Sequence, residues 1–334
     1  MTLVSEAQRR TPGWSESFRR WADGGNLIYA VLGVALLVAW PLVDIAGGDF
    51  MSGDSIRSIL LRSISLGIVA MGQTLVILAG SLDLSVAYVI SITTVVAAST
   101  INGETSRLPL GIGLVLAFGA LVGVLNGLII TKTRTNPFIA TLGMALVLQG
   151  ILRSGVSAAK GGVPSSFQGL GYKAIGPVPL AVLLLVAVFA VVYFLQRYTG
   201  FGAHLYAVGG DDQTARLSGV RSDRVIIKAH VLCSLAAVVA GLFIMARLGT
   251  GDPRVGPDGA YDLDSIAAVV VGGTALSGGR GGVGGTLAGV LLLSVLDSVF
   301  NSLQVSSFIQ QAVRGAVLII AVAAYAIRSR RAEG

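Results

Sequence analysis

The chain has 334 residues, of which 54% are hydrophobic and only 12% charged, with a net charge of +7 and one cysteine. Soluble domains carry about 25% charged residues, so a soluble enzyme is excluded, and the lone Cys233 excludes an internal disulfide. His204 and His230 are the only histidines, too few for a metal cluster without several carboxylates beside them, so no metal or cofactor is expected.

Residues 1–26 are polar and basic and lack a short apolar core followed by a cleavage site, so they read as a cytoplasmic tail with no cleavable signal peptide. Ten apolar runs follow, at 27–46, 57–80, 84–101, 109–131, 137–155, 177–196, 228–247, 262–277, 283–302 and 308–327. Runs of about 17–25 residues cross a bilayer as helices, because backbone groups away from water must bond within their own segment. The expected fold is an all-α polytopic membrane protein of about ten transmembrane helices. Its transmembrane domain would cover 27–327, with 328–334 a second cytoplasmic tail. An N-terminus inside leaves 15 of the 24 Lys and Arg residues in inward segments, as the positive-inside bias requires. Both termini are then cytoplasmic. Eight or twelve spans would satisfy that parity too, but each run has length for one crossing. The basic charge therefore calls for no nucleic acid.

In chain order, "LAGSLDLSVAYV" (78–89) interrupts an apolar region with Asp83 between Ser81 and Ser85. Asp83 reads as a cap for the third span. It also reads as the mark of a break at membrane depth that lines a cavity. In "TKTRTNPFIATLG", Thr135 or Asn136 suits an N-cap and Pro137 the first turn. The Gly-, Ser- and Pro-rich stretch 156–176 reads as an exterior loop or a docking surface for an external partner. In the inward segment 197–227, Gly209-Gly210 breaks the chain. Asp211 and Asp212 then cap and charge a short polar helix, "DDQTARLSGV", that ends at Gly219. Its Ala215, Arg216, Leu217 and Ser218 make a surface suited to a groove on another protein. Residues 248–261 hold Pro253, Pro257 and charges, and read as a wet outer loop.

The Gly-rich run "VVVGGTALSGGRGGVGGTLAGV" (269–290) is no nucleotide loop, since no G-x-x-x-x-G-K-[ST] pattern occurs in the chain. It reads as close helix packing around a short hairpin marked by Arg280. Asp297 and Asn301 share one helix face, as do Gln310 and Arg314. An antiparallel pair of spans turning near Val305 sets Asp297 and Arg314 at one depth, so they either pair or share a hydrated vestibule. An unpaired charge there costs on the order of 3 kcal/mol.

Four motifs in order carry a resemblance: "GSLDLSVA" (80–87), "TNPFIATLGM" (135–144), "GFGAHLYAVGGDDQTARLSGV" (200–220) and "DLDSIAAVVVGGTALSGGRGGVGGTLAGVLLL" (262–293). From about residue 55 onward the chain resembles the permease subunit of bacterial ABC importers for monosaccharides, the ribose, xylose, arabinose and galactose group. The resemblance implies a second permease chain (identical or a paralogue), ABC ATPase subunits and a periplasmic or lipid-anchored sugar-binding protein in the bacterial inner membrane. Segment 211–220 then matches the coupling helix, and the span after Pro137 a pore wall. The family usually has Gly-Gly-Ile-Asp-Leu-Ser-Val-Gly at 80–87, Asn at Asp211 or Asp212, and Asn-Asn near Asp297-Ser298. Candidate pathway residues are Asp83, Ser85, Asn136, Phe138, Asp297, Asn301, Gln310, Gln311 and Arg314. The rival readings are a branched-chain amino acid ABC permease and an ion-coupled secondary transporter using Asp83, Asp297 or Asp44. No constellation supports a membrane enzyme.

Overall fold

The computed structural model describes residues 27–45, 47–176 and 178–333, so the tail 1–26 lies outside the described residues. Each of the ten apolar runs contributes a helix. Seven are long and apolar enough to cross a membrane: α1 (Leu27–Ile45), α2 (Gly53–Leu78), α4 (Leu108–Thr133), α5 (Pro137–Gly155), α7 (Leu180–Tyr198), α10 (Ser222–Leu248) and α13 (Val283–Ser302). Shorter helices are α3 (Val86–Ile101), α6 (Ser165–Tyr172), α8 (Gly200–Gly210), α9 (Asp212–Leu217), α11 (Val255–Asp258) and α12 (Tyr261–Val271). The last helix, α14 (Ser307–Glu333), continues through 328–333. Beyond α6, β1 (Ala174–Ile175) pairs antiparallel with β2 (Val178–Pro179).

The core is built on α2, α3 and α10. Every α2 residue from Ser63 to Leu78 is buried. The peripheral α1, α4, α5 and α7 leave large apolar side chains exposed, such as Leu37, Leu121, Val147 and Phe194. That pattern suits helices whose outer faces meet lipid. Close packing relies on glycine. On α4, Gly119, Gly123 and Gly127 recur every four residues and face α10. A Cβ at Gly123 would stand 2.5 Å from Val231 Cα, and one at Gly127 2.6 Å from Ile227 Cα. The Gly-rich run acts alike between α12 and α13, where a Cβ at Gly289 would lie 2.1 Å from the Ala268 carbonyl oxygen.

Three expectations need correction. The run 262–277 is no full span: α12 has 11 residues and stops at Val271. Gly273, at φ +86°, lets the Thr274 N–H turn back to the Val269 carbonyl, which closes the helix as a Schellman motif. Residues 248–261 are no surface loop. Asp252 N–H bonds Thr94 Oγ1 at 3.2 Å and Gly256 N–H bonds Ser91 Oγ at 3.0 Å. A Cβ on Gly256 would strike the Ala87 carbonyl oxygen at 1.8 Å. Ala87 lies about 21 Å along α3 from Ile101, at 1.5 Å per residue, so the segment descends deep beside α3. Finally, Gly209-Gly210 closes helix α8 instead of interrupting a loop.

The glycine seam gives a direct test. Gly123→Ala should lower the thermal midpoint of the detergent-purified protein, because its new methyl meets backbone. Gly113→Ala on the same helix, with nothing within 4 Å, should leave the midpoint unchanged.

Candidate functional site

Polar groups gather at three depths. At the end holding Lys132, Arg197, Arg216, Arg221 and Arg224, α9 forms because Asp211, extended at φ −160°, caps it by accepting from the Thr214 N–H. The distance is 2.8 Å. Gly219, at φ +85°, ends it, with the Val220 N–H bonding the Ala215 carbonyl. Arg216 bonds Asp212 at 2.9 Å and Asp223 at 2.7 Å. Those carboxylates push its guanidinium above its ordinary value. Lys132 joins from α4 through Asp223 at 3.1 Å. The docking surface needs correction here. Ala215 is buried against the protein itself, while Leu217 is 90% exposed. Burial of Ala215 follows from the turn that seats α9 beside α10, which leaves Leu217 as the outward apolar knob.

Just inward, Gly209 joins three chain breaks. A Cβ there would lie 1.9 Å from the Leu78 carbonyl oxygen and 2.6 Å from the Gly279 N. The Gly279 N–H bonds that same Leu78 carbonyl at 3.0 Å. The breaks after α2 and after α12 therefore touch each other, and α8 closes on both.

Deeper lies Asp83, fully buried. Its Oδ1 accepts from the Ser85 N–H at 2.9 Å and the Ser85 hydroxyl at 2.6 Å. Asn126 of α4 donates to Oδ2 at 3.3 Å and to Ser85 Oγ at 3.0 Å. His230 Nδ1 lies 3.2 Å from Oδ2, and His230 Nε2 lies 2.9 Å from Ser81 Oγ. The imidazole thus bridges the Asp83 carboxyl and the Ser81 hydroxyl. The Gln73 carboxamide, turned with its nitrogen toward the Asp83 carbonyl, bonds it at 3.3 Å and accepts from the Asp83 N–H at 3.2 Å. Asn126 and His230 lie seven and eight residues from the Thr133 and Ser222 helix ends, about 10–12 Å at 1.5 Å per residue. The break is thus at depth. Asp83 closes a turn onto the Ser85 N–H just before α3 and does not cap the helix itself, whose N-cap is Ser85 without a side-chain cap bond. Asp83 and Ser85 face packed protein and no cavity.

Near the opposite end, Arg314 of α14 holds two acids. Its Nη2 lies 2.7 Å from Asp297 Oδ1 and its Nη1 2.9 Å from Asp264 Oδ2. Asn301 and Gln310 turn to the Asp297 and Val305 carbonyls instead, and Gln311 is exposed. Asn136 caps α5 by accepting from the Phe138 N–H at 2.9 Å, at the end near Lys132, where Phe138 is 47% exposed. The nine candidate residues therefore fall at separate places and form no single site. Sequence reasoning missed Asp264, His230, Asn126 and Gln73. The signal for His230 was a lone imidazole in an apolar span; for Asp264 it was a second acid one turn from the start of α12.

Residues 55–322 match the family described as "Branched-chain amino acid transport system / permease component". The chain belongs to that family. The permease is also 37% identical over 294 residues to the ribose import permease protein RbsC of Escherichia coli (strain K12), covering 86% of this chain and 91% of that protein. It is 37% identical to RbsC of Bacillus subtilis (strain 168), covering 87% and 90%. It is 34% identical over 327 residues to the L-arabinose transport system permease protein AraH of Escherichia coli (strain K12), covering 96% of each chain. No solved structure matches. With its seven long apolar helices, the permease is a multi-pass protein of the bacterial inner membrane.

The double grip of Arg314 alters what substitution does in this permease. Asp297→Asn leaves Arg314 paired with Asp264, so its effect on the thermal midpoint should be small. Arg314→Gln sets two carboxylates against each other and should cost more. Asp264→Asn combined with Asp297→Asn strands the guanidinium, and its loss should exceed the sum of the two single losses.

Proposed function

We propose that the permease forms the translocation pathway of an ATP-driven importer for a monosaccharide of the pentose or hexose class. ATP hydrolysis is assigned to separate ABC ATPase subunits. A second permease chain completes the pathway, and a periplasmic or lipid-anchored binding protein delivers the sugar. Within this reading, 27–327 is the transmembrane domain and 197–227 its cytoplasmic coupling region. The observation that carries it is similarity to ribose and arabinose permeases over 86% and 96% of the chain. The family description names branched-chain amino acids, but those relatives support the sugar.

The geometry supports a route for coupling. Leu217 and the capped α9 offer a rigid knob to an ATPase groove. A push on α9 passes through Asp211 to Gly209 at the end of α8, and thence to both chain breaks. An ion-coupled transporter would have no use for such a knob, and its candidate acid Asp83 is fully engaged by protein.

The test is reconstitution with cognate ATPase and binding protein. ATP-dependent uptake of D-ribose or L-arabinose is expected. Uptake of leucine with neither sugar would replace the substrate, and sugar uptake without the ATPase would favour the ion-coupled reading. Leu217→Asp should abolish sugar-stimulated ATP hydrolysis while the permease stays folded; undiminished stimulation would remove α9 as the coupling element.

A further inference from the structure

The segment that descends beside α3 borders a recess of about 340 Å³. Non-helical backbone is tolerated at membrane depth where protein buries it or where it lines a water-filled cavity. Helix α3 covers one side of this segment through Thr94, Ser91 and Ala87. Its other side presents Arg254 and Asp258, both exposed, to the recess. Across from them stand Tyr88 of α3 and Gln149 and Arg153 of α5. Gln149 donates to the Tyr88 hydroxyl. Among the described residues, Arg153, Arg254 and Asp258 make no ion pair with one another or with any other side chain. Arg153 stands in the last turn of α5 and all three charges are exposed, so they line a polar mouth that water or a polar solute can fill.

We propose that this recess is the outward-facing solute site and that it takes a neutral monosaccharide. The proposal rests on the sugar-import reading. The size falls in the range of small-molecule sites. Its chemistry suits a polyol. A carboxylate accepts from hydroxyls, guanidinium groups donate to them, and the carboxamide and phenol do both. Leu152, Val156 and the two prolines add apolar wall for the carbon-bound face of a sugar ring. Two arginines and one acid leave little net charge to select an ion. Tyr88 lies about 20 Å along α3 from Ile101, and its partner Gln149 about 9 Å from the Gly155 end of α5, so the recess runs inward from the ends of both helices.

The test uses the assembled importer in proteoliposomes. Gln149→Cys and Ser157→Cys place thiols in the recess, and Leu146→Cys places one on the exposed apolar face of α5. The native Cys233 is buried. A membrane-impermeant thiol reagent added from outside should modify positions 149 and 157 and spare 146. Saturating D-ribose should protect 149, and the adduct at 149 should abolish sugar uptake. Tyr88→Phe, which removes one hydrogen-bonding hydroxyl, should lower uptake about three- to tenfold. The proposal is overturned if position 149 stays unreactive while 157 reacts, or if its adduct leaves sugar uptake intact. Should Gln149→Cys fail to assemble, Ser157→Cys and Tyr88→Phe decide, and wild-type behaviour of both overturns it. A wild-type importer that moves no sugar while both thiols label would instead overturn the sugar-import reading.

Discussion

A helix broken inside a membrane must find every hydrogen-bond partner in protein, and the Asp83 carboxylate is where this permease meets that demand. The turn after α2 recovers part of its own backbone, with the Gly80 and Ser81 N–H groups returning to Ile77 and Val76. The rest comes from elsewhere. Thr141 of α5 donates to the Leu82 carbonyl at 3.2 Å, Gln73 engages the Asp83 peptide, and Asn126 and His230 engage its side chain. The break between Leu78 and Val86 is thereby fastened to α2, α4, α5 and α10. Glycine makes the fastening possible, since Gly123 and Gly127 let α4 approach α10 closely enough for Asn126 and His230 to converge on one carboxylate.

The same break carries the functional argument. Its start touches Gly209 and the break after α12, and its end is the Asp83 cluster. Between the end that holds Lys132 and Arg216 and the interior, contacts thus run from α9 through the end of α8 to two interrupted helices. Side chains at that junction would keep the backbones apart, which explains why the chain places glycine at 209, 278 and 279, while Gly80 serves the turn through its φ of +74°. At the other end of the molecule, Arg314 ties α14 to α12 and α13. The interrupted elements are therefore held at one end by charge and in the middle by close packing.

Much of the fold was legible because the membrane simplifies the problem: apolar length reports helices. The ten runs became ten helices on that basis. The cap at Asn136, the helix after Asp211 and the facing of Asp297 and Arg314 followed from local chemistry and helical spacing. Other features were hidden for physical reasons. Hydropathy cannot tell a helix from an apolar stretch that ends in a glycine turn, so α12 looked like a full span. Charges in 249–260 suggested the surface, although a polar segment also suits a recess at depth. The partners of Asp83 lie up to 147 residues away, and no local pattern announces a pairing across that distance. The inward turn of Ala215 depends on how α9 seats against the bundle.

The central role of Asp83 is open to a double-mutant cycle on the purified complex, with unfolding followed for Asp83→Asn, His230→Gln and the pair together. If the cluster acts as one unit, each single substitution destabilises, and the pair costs little more than the worse single. The interaction energy would then be about 0.5–3 kcal/mol. Losses that simply add would contradict it, because the carboxylate and the imidazole would then be stabilising the core independently.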